Sequence, residues 1–501
     1  MIMMDSGEPL PTNHYSEVLI ASNRGPVTLG RDAQGGYTFQ RGSGGLVTAL
    51  TGLARTTRVT WVACALSPED AAWGQGKVCF EDENCNLYTR FINPDPQAYD
   101  AYYNQISNPL LWFLQHSMWD VPRAPVIDRA TWDAWEMGYK VVNRQFAGEI
   151  ADQVRTMSKP VLVMLQDYHL YLTPRYLKKY LRRRDAILSL FVHIPMPGPD
   201  YWGILPPGMR QEILDGLCAV DLLGFQTRED GLNFIRTCEN YLPKALVRYR
   251  RGRVRYRSHD TYVRDFPISI DVDALKALAD APETLSYQQE VAEHMNQRKL
   301  ILRVDRLEPS KNLLRGFQAY EALLETHPEH CDQVMFLALL TPSRLGVDEY
   351  QTYLDEIMAA VGRINARYGD SEWEPVRLLV GENYARAVAA LTMYNVLLVN
   401  SIADGMNLVA KEGAVVNKMD GVLVLSERTG ARQQLEPGAL VIAPCDVYAT
   451  AEAMHQALVM APEERRERAA LLRRLVEAED INFWLESQLD AIAEIARMRK
   501  A

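Results

Sequence analysis

The sequence predicts an α/β protein made of two Rossmann-like, doubly wound domains. Short runs of apolar and β-branched residues alternate with longer segments of helical periodicity, which is typical of parallel sheets buried on both faces. The runs form two series, separated by a polar stretch near residues 266–300. A chain of 501 residues is also too long for one ordinary hydrophobic core. Together these observations favour two domains, each built around its own parallel sheet.

The two series of predicted strands set the domain boundaries. The first series comprises Glu17–Ala21, Val59–Ala63, Pro160–Leu165, Ala186–Val192 and Asp221–Phe225. The second comprises Lys299–Val304, Val334–Leu340, Val376–Val380, Asn395–Asn400, Gly421–Leu425 and Ala439–Ile442. We therefore place one domain at residues 1–270 and another at 271–480. Residues 481–501 are expected to form an amphipathic helix that returns to the first domain.

Composition and charge exclude several classes of protein. The net charge of −10 gives no overall field that attracts nucleic acid. The seven cysteines are scattered and include no C-x-x-C pair, which indicates reduced thiols rather than a disulfide framework or a zinc site. The first residues lack the features of a signal peptide, and no apolar run reaches the length of a membrane span. We therefore expect a cytoplasmic protein with no membrane partner.

Two basic stretches are predicted to lie on the solvated surface. Lys178–Arg184 has the pattern of the exposed face and end of a helix. Val247–Arg257 alternates around Arg251 and Gly252, as a surface hairpin does. Because runs of like charge mostly face water, we favour this interpretation over a phosphate or partner site.

Polar and charged residues follow the predicted strands at the edge where open α/β sheets bind ligands. In the first series they are Arg24, the glycine-rich segment Gly42–Leu46, Asp167 and His193. In the second series they are Arg306, Lys311, Arg344 and the segment Asp404–Glu412. Repetition at six strand ends favours a ligand site over packing alone.

The cations of this set indicate that the ligands carry phosphate. Arg24, Arg306, Lys311 and Arg344 all follow strands of an acidic protein. Arg306 and Lys311 are five residues apart across a loop, so both can reach one diphosphate. Surface salt bridges are the alternative for any one of these residues, but the whole set favours phosphate because loops at strand ends carry function.

The segment DGMNLVAKEG predicts a loop that enters a helix. Gly405 permits close approach of the backbone, and the amides at the helix start form a site for an anion. Glu412, about one turn into the helix, can accept hydrogen bonds from a ribose diol; an exposed helix carboxylate is the alternative. For Asp404 the alternative is a plain N-cap of the helix, and a capping role could coexist with contacts to a sugar.

Asp167 and His193 end adjacent predicted strands. His193 could be a hydrogen-bonded core histidine, whereas Asp167 at a strand end favours a functional role. Tyr103 and Trp112 lie in an aromatic stretch and, from their type alone, are predicted to be core residues. No pair of carboxylates flanks a nucleotide-binding loop in a D-x-D pattern, and no H-E-x-x-H spacing appears. We therefore expect arginine and lysine to neutralise charge on a leaving group.

Nine motifs, in order, resemble those of the trehalose-6-phosphate synthases. They are SNRGPV, GSGGL, YYNQISNPLLW, QDYHL, FVHIPMP, DLLGFQT, DRLEPSKN, TPSR and DGMNLVAKEG, between about Val18 and Phe483. The resemblance implies the GT-B fold of glycosyltransferase family 20, with two Rossmann-like domains and the active site in the cleft between them. It implies a retaining transfer of glucose from a nucleotide-diphosphate glucose to glucose 6-phosphate, giving trehalose 6-phosphate, without a cofactor. The two substrates are the expected partners. Whether the chain forms a homo-oligomer is left open by the resemblance.

The resemblance also implies roles for individual residues. The acceptor-binding set is Arg24, Tyr103, Trp112, Asp167 and Arg344. The donor-binding set is Gly44, Gly45, Arg306, Lys311, Asp404, Gly405, Met406, Asn407, Leu408, Val409 and Glu412. The catalytic set is Asp167, His193, Arg306 and Lys311. The implied mechanism is front-face displacement, in which the departing phosphate helps to deprotonate the acceptor hydroxyl.

The sequence departs from the family pattern at three places. Cys64 stands where a tryptophan of the acceptor pocket is expected, the motif RLDYSKG becomes RLEPSKN, and Ala403 precedes DGMN in place of an arginine. The acceptor is therefore less firmly implied than the donor. Glucosylglycerol-phosphate synthase and cyclitol pseudo-glycosyltransferase stay open as alternatives. A non-catalytic paralog that binds sugar phosphate is disfavoured by the retained catalytic set. The nucleotide base is also left open.

Overall fold

The computed structural model describes residues 17–32, 34–41, 47, 50, 53–55, 57–78, 86–158, 160–182, 185–343 and 348–500. The chain divides into two compact units. One is Met1–Phe266 together with Asn482–Ala501, and the other is Pro267–Ile481. The sequence prediction placed the boundaries after residues 270 and 480, and the roles of the two units as acceptor and donor domains stay predictions.

The first unit, as described, contains a ten-stranded sheet and a separate hairpin. The strands are β1 (Glu17–Ala21), β2 (Val27–Arg31), β3 (Tyr37–Arg41), β4 (Arg58–Cys64), β5 (Gln75–Val78), β6 (Leu87–Ile92), β7 (Val161–Gln166), β8 (Ala186–Phe191), β9 (Leu222–Phe225), β10 (Leu246–Arg248), β11 (Arg253–Tyr256) and β12 (His259–Asp265). Strands β2 and β3 form the hairpin, and the order in the large sheet is β10-β11-β12-β9-β8-β7-β1-β4-β6-β5. The seven strands from β12 to β6 in this order are parallel, and antiparallel strands flank them on both sides.

Helices cover the parallel strands of the first unit. They span Pro68–Trp73, Pro96–Asp100, Ala101–Trp112, Phe113–Gln115, Arg129–Ala134, Trp135–Tyr139, Lys140–Thr156, Thr173–Tyr180, Pro199–Trp202, Pro207–Leu217, Arg228–Tyr241 and Ile481–Lys500, with single 3₁₀ turns at Leu53–Arg55, Tyr168–Leu170 and Tyr249–Arg251. The aromatic segment Ala101–Trp112 is a wide π-type helix with a proline inside it. Such turns are rare and often occur at functional sites.

The C-terminal helix Ile481–Lys500 packs on the first unit. The indole of Trp484 meets the ring of Phe191 edge-on, with 5.3 Å between centroids. Near the end of the helix, Arg499 Nη1 donates to Asp221 Oδ2 at 2.8 Å. Both contacts lie at parallel strands of the large sheet, so the last twenty residues of the chain cover the unit in which the chain begins.

The second unit, in its described part, holds one six-stranded parallel sheet. The strands are β13 (Lys299–Arg306), β14 (Val334–Thr341), β15 (Val376–Val380), β16 (Val396–Val399), β17 (Val422–Ser426) and β18 (Leu440–Ile442), in the order β15-β14-β13-β16-β17-β18. Its helices span Val272–Ala279, Pro282–Met295, Leu313–Thr326, Asp348–Tyr368, Tyr384–Leu391, Leu408–Val416, Arg432–Leu435, Val447–Val459 and Pro462–Ala478, with 3₁₀ turns at Pro309–Lys311, Pro328–His330 and Glu436–Gly438. Among all helices that the structure describes, none has both the length and the apolarity of a membrane span.

The structure confirms all eleven predicted strands, each within two residues at either end. Apart from the edge strands β15 and β18, most of their residues are buried, since helices lie on both faces of a parallel sheet. It also confirms the basic hairpin: β10 pairs antiparallel with β11, and Gly252 takes the left-handed conformation (φ 53°) that the turn requires. The strands that were not predicted lie in the hairpin or towards the edges of the large sheet, where alternation with polar residues weakens the apolar signal.

One glycine shows how tightly the first unit is packed. A Cβ added to Gly216, near the end of helix Pro207–Leu217, would lie 1.9 Å from the carbonyl oxygen of Tyr171. We expect Gly216→Ala to lower the free energy of unfolding by about 2 kcal/mol or more, because backbone must move to admit the methyl group. Gly148, inside helix Lys140–Thr156, has no atom within 4 Å of such a Cβ. Gly148→Ala should instead raise stability by about 0.5–1 kcal/mol. Urea unfolding of both variants checks this, and equal stabilities would contradict it.

Candidate active site

Four adjacent parallel strands of the first unit carry the predicted site residues at their carboxyl ends. Along the sheet these strands are β8, β7, β1 and β4. His193 follows β8, Asp167 follows β7, Arg24 follows β1, and Cys64 is the last residue of β4. Because parallel strands end at a common edge, the fold brings these residues to one side of the sheet, as the sequence predicted.

Asp167 links the ends of two of these strands. Its Oδ1 accepts a hydrogen bond from the backbone N–H of His193 at 3.1 Å, and its own N–H donates to the carbonyl of Phe191 at 2.7 Å. The backbone of Asp167 has φ 73° and ψ 174°, a conformation that is almost restricted to glycine. It costs a non-glycine residue about 1–3 kcal/mol and is often found at functional sites. The surrounding hydrogen bonds hold the carboxylate in this unusual position.

The imidazole of His193 is neutral near pH 7. Burial lowers the pKa of this ring to about 3. Its Nε2 lies 2.9 Å from Oε1 of Gln166, and the acceptor oxygen assigns the proton to Nε2. The ring contacts Phe191, with 4.6 Å between centroids. His193 is therefore an oriented, uncharged group, and Gln166, whose role the sequence did not reveal, is its partner.

Arg24 contacts an aromatic stack. Its Nη2 donates to the hydroxyl of Tyr103 at 3.4 Å. The ring of Tyr103 is nearly parallel to those of Tyr99 and His169, at centroid distances of 5.6 and 5.8 Å. Tyr99 in turn accepts a hydrogen bond from Asn23 Nδ2 at 3.3 Å. The structure thus brings the predicted pair Arg24 and Tyr103 together and adds Tyr99, which the sequence did not single out.

The two aromatic residues that were predicted as core have different environments. Trp112 is a core residue, 5% exposed, and stacks on His116 at 3.8 Å between centroids. Tyr103 is only half-buried and faces Arg24, so the prediction of a core position is wrong for it. Tyr103 lies near the start of the π-type helix and Trp112 is its last residue, so the two rings belong to opposite ends of the helix.

Cys64 is fully buried beside this stack. Its backbone N–H donates to the carbonyl of Asn23 at 3.1 Å, and its side chain belongs to the core of the first unit. Burial raises the pKa of the thiol well above its ordinary value. The thiol is therefore uncharged and acts as a small packed side chain.

Lys311 and Asp404 form an ion pair in the second unit. The distance between Lys311 Nζ and Asp404 Oδ2 is 2.5 Å, and Asn407 Nδ2 donates to the same oxygen at 3.1 Å. Burial alone would lower the pKa of Lys311, but the carboxylates of Asp404 and Asp305 raise it above its ordinary value. Lys311 is therefore a charged group held by carboxylates at the end of β13.

Arg306 is the more accessible cation of the same strand end. Its side chain is 50% exposed, and Nη1 lies 2.9 Å from Oε1 of the buried Glu308. Beneath it Arg303, whose side chain is fully buried, donates from Nε to Asp305 Oδ2 at 2.9 Å and from Nη2 to the carbonyl of Lys311. Arg303 thereby anchors the turn that presents Lys311. A charged residue inside the apolar run KLILRV was the only sequence signal for it.

The segment Asp404–Glu412 enters a helix, as predicted, but a different residue caps it. Helix Leu408–Val416 begins after Asn407, whose Oδ1 accepts from the N–H of Ala410 at 3.1 Å. Asp404 is therefore not the N-cap, because its carboxylate binds Lys311. A Cβ on Gly430 would lie 1.9 Å from the carbonyl oxygen of Gly405, so a neighbouring turn packs directly on this loop. Met406, Leu408 and Val409 lie on the same segment.

Glu412 is half-buried rather than exposed. Tyr384 donates its hydroxyl to Glu412 Oε1 at 3.1 Å. Burial raises the pKa of the carboxyl to about 7, although the hydrogen bond from Tyr384 opposes this. The neighbouring Lys411 is buried too; burial lowers its pKa to about 7, and its Nζ donates to the carbonyl of Ile268 at 2.9 Å. The alternative interpretation of Glu412 as an exposed helix carboxylate is wrong.

Three predicted site residues, Gly44, Gly45 and Arg344, lie outside the described residues. Arg344 follows β14, directly after Ser343, whose Oγ donates to Glu308 Oε1 at 3.0 Å.

A family model matches nearly the whole chain, at residues 16–494; its description is glycosyltransferase family 20. A relative from Botryotinia fuckeliana, a UDP-forming alpha,alpha-trehalose-phosphate synthase, is 33% identical over 486 residues, which are 96% of this chain and 89% of the relative. A solved structure from E. coli, described as trehalose-6-phosphate bound with UDP-2-fluoro glucose, has a TM-score of 0.83 and 29% identity, covering 95% of this chain and 99% of that chain. A UDP-forming alpha,alpha-trehalose-phosphate synthase from Burkholderia xenovorans, in complex with glucose-6-phosphate, has a TM-score of 0.80 and 27% identity, covering 95% and 100%. The structural matches confirm the predicted GT-B fold class.

The carboxyl of Glu412 should make stability depend on pH. Its pKa is about 7 in the folded chain and about 4.3 in an unfolded one. The folded chain keeps this proton up to a higher pH than the unfolded chain does. The contribution of the carboxyl to the free energy of unfolding is therefore fully present below about pH 4.3 and is lost as the pH rises through 7. Gln at this position cannot ionise, so Glu412→Gln should gain stability relative to the unmodified chain by about 3 kcal/mol between pH 4.5 and 8. Urea unfolding across this range checks it; a constant difference would contradict the buried state of the carboxyl.

Proposed function

The chain belongs to glycosyltransferase family 20, and we propose that it transfers glucose, with retention, from UDP-glucose to glucose 6-phosphate to give trehalose 6-phosphate. The observation that carries the proposal is that solved structures sharing this fold over 95% of the chain hold a UDP-sugar analogue in one case and glucose 6-phosphate in another. The chain keeps, at its strand ends, groups suited to both ligands.

The second unit is proposed to bind the donor. Arg306 and Lys311 supply two cations at the end of one strand, which suits a diphosphate. Asp404 keeps Lys311 charged despite burial, and it is proposed also to contact the sugar. Amides of residues 405–409 at the start of helix Leu408–Val416 favour an anion. Glu412 is proposed to bind the ribose, and Gly44 and Gly45 to close over the donor.

The first unit is proposed to bind the acceptor. Arg24 is exposed and offers a planar guanidinium for the phosphate of glucose 6-phosphate, and Tyr103 fixes its direction through the hydrogen bond at 3.4 Å. Asp167, at the end of the neighbouring strand, is proposed to accept a hydrogen bond from an acceptor hydroxyl. Trp112 and Arg344 complete the proposed acceptor set.

The proposed reaction is a front-face displacement. The bond between the anomeric carbon and the phosphate oxygen breaks, and the acceptor oxygen bonds to that carbon on the same face. The proton of the acceptor hydroxyl passes to the departing phosphate, whose negative charge Arg306 and Lys311 stabilise. A histidine with a pKa of about 3 supplies no proton at neutral pH, so His193 is proposed to orient the donor sugar by hydrogen bonding.

Cys64 bears on the choice of acceptor. The expected tryptophan is replaced by a small buried thiol, yet the stack of Tyr99, Tyr103 and His169 supplies aromatic surface next to Arg24. Aromatic faces pack well against sugar rings because the C–H groups of the sugar meet the electron-rich face of the aromatic ring. The stack supports a sugar phosphate as the acceptor. An acceptor panel with mass detection of the product distinguishes glucose 6-phosphate from glycerol 3-phosphate and from cyclitol phosphates.

Removing Arg306 tests the donor half. We expect Arg306→Ala to lower kcat by about 10²–10³-fold, because a group that stabilises the leaving phosphate is lost. Arg367→Ala is the matched control, since this arginine of the same unit is 52% exposed and bonded to glutamates, as Arg306 is 50% exposed and bonded to one. UDP release with saturating substrates gives the rates. Comparable rates in the two variants would refute the assignment of the diphosphate site.

Removing Arg24 tests the acceptor half. We expect Arg24→Ala to raise KM for glucose 6-phosphate by about 10–100-fold, the range that the loss of a charged hydrogen bond produces. KM for UDP-glucose should stay nearly unchanged, because the residues proposed to hold the donor diphosphate, Arg306 and Lys311, lie in the other unit. Arg129→Ala, which removes a 94% exposed arginine of the same unit, is the control. An equal rise in both KM values would argue against a specific acceptor role for Arg24.

A further inference from the structure

A cluster of three histidines and two glutamates lies in the second unit. His327, Glu329 and His330 form the connection between helix Leu313–Thr326 and β14, and Glu452 and His455 lie on helix Val447–Val459. The two segments are 125 residues apart in the chain, and they gather three of its nine histidines. No role in binding either substrate falls on these residues.

The cluster lies at the edge of the sheet opposite to the candidate donor residues. The segment with His327 leads into the amino end of β14, and Lys299, the first residue of β13, donates from Nζ to the carbonyl of Leu458 at the end of the other segment. Arg306 is the last residue of the same eight-residue strand. At about 3.3 Å per residue the two edges are roughly 25 Å apart. A ligand bound in the cluster therefore has no contact with the reacting groups.

The donor atoms have the spacing of a transition-metal site. Ligand atoms from His327, Glu329 and His455 all lie within 4.8 Å of one another. Glu329 Oε1 is 3.3 Å from His327 Nδ1 and 4.0 Å from His455 Nδ1. Ligands of a tetrahedral zinc ion with bonds of 2.0–2.1 Å are about 3.3 Å apart. The rings of His327 and His455 stack at 3.6 Å between centroids, with 8° between their planes, so metal binding requires both rings to rotate until their nitrogens converge on one ion. The partial exposure of both side chains leaves room for this rotation.

Neighbouring groups orient the two imidazoles. His327 Nε2 lies 2.9 Å from Glu452 Oε1, so this nitrogen carries a proton and the lone pair of Nδ1 faces Glu329 when the ring is neutral. A carboxylate on the outer nitrogen of a ligand histidine is a frequent feature of metal sites, because it fixes the ring and increases its basicity. On the other side, His330 Nε2 lies 3.0 Å from His455 Nδ1. His330 thus offers a further nitrogen beside the ligand nitrogen of His455.

The charges of the cluster favour a cation. Its anionic groups are Glu329 and Glu452, whose Oε1 atoms lie 3.3 Å and 2.9 Å from the two ring nitrogens of His327. Neutral imidazoles with one carboxylate suit Zn²⁺ and related transition ions, whereas Mg²⁺ and Ca²⁺ prefer oxygen ligands.

We propose that His327, Glu329 and His455 bind one zinc ion per chain, and that the ion ties helix Val447–Val459 to the connection before β14. The remaining coordination position is filled by water or by His330. The ion is structural: it joins two segments that are distant in sequence and stabilises the second unit without entering the reaction.

Zinc content and thermal stability of the tag-free, full-length chain test the proposal. After treatment with EDTA and dialysis against micromolar zinc at pH 7.5, we expect one zinc per chain by elemental analysis. Excess zinc should raise Tm by about 3 °C or more, as expected for a ligand that binds only the folded state. Cobalt in place of zinc should give the visible absorption of a tetrahedral site. Binding should weaken below about pH 6, where the imidazoles are protonated.

Matched variants locate the ion. His455→Ala should abolish zinc binding and the Tm shift. Glu329→Gln, at a side chain that is 58% exposed, should weaken binding by about tenfold or more without affecting folding, since it removes the only charged ligand. His294→Ala and Cys445→Ser remove a histidine and an exposed thiol elsewhere in the unit and should change nothing. Synthase activity should be equal in all four. Substoichiometric zinc in the unmodified chain, or unchanged zinc in both His455→Ala and Glu329→Gln, would overturn the proposal.

Discussion

The stability of the second unit depends on the mutual neutralisation of four largely buried charges. Two cations and two carboxylates carry these charges, and each is linked to the next by a hydrogen bond or by electrostatic attraction. They are Arg303, Asp305, Lys311 and Asp404. Removing one member would leave an uncompensated buried charge, which is strongly destabilising. The same network holds the turn after β13 in contact with the loop before helix Leu408–Val416, through the ion pair of Lys311 and Asp404. The geometry proposed for donor binding is thus a by-product of charge neutralisation within the unit.

Acceptor-side residues depend on backbone geometry more than on charge. The strands β8, β7, β1 and β4 end side by side, and this order, rather than proximity in sequence, makes Asp167, His193 and Arg24 neighbours. A π-type helix then places Tyr103 beside Arg24 while it leaves Trp112 in the core. One helix therefore serves both packing and the surface of the site, and a regular α-helix over the same residues would turn the two rings differently.

Local sequence pattern was sufficient for the elements and for most positions of the site, but not for the partners. Continuous apolar runs identified the buried parallel strands, and the residues after them proved to lie at one edge. The assignments that failed or were missed all concern a second residue far away in the chain: Tyr384 for Glu412, Gln166 for His193, and Lys311 in place of a capping role for Asp404. Such pairings follow from tertiary packing, and a single sequence carries no periodic signal for them.

The backbone of Asp167 has a consequence for the history and engineering of this chain. An aspartate in a conformation suited to glycine lowers the stability of the fold, because glycine would adopt the same backbone angles without strain. Selection for stability alone would therefore not keep aspartate at this position. Selection for heat resistance alone would therefore drift towards glycine at this position and discard the carboxylate. Under the role proposed for Asp167 in acceptor binding, a library screened only for survival at high temperature would accumulate stable chains of low turnover.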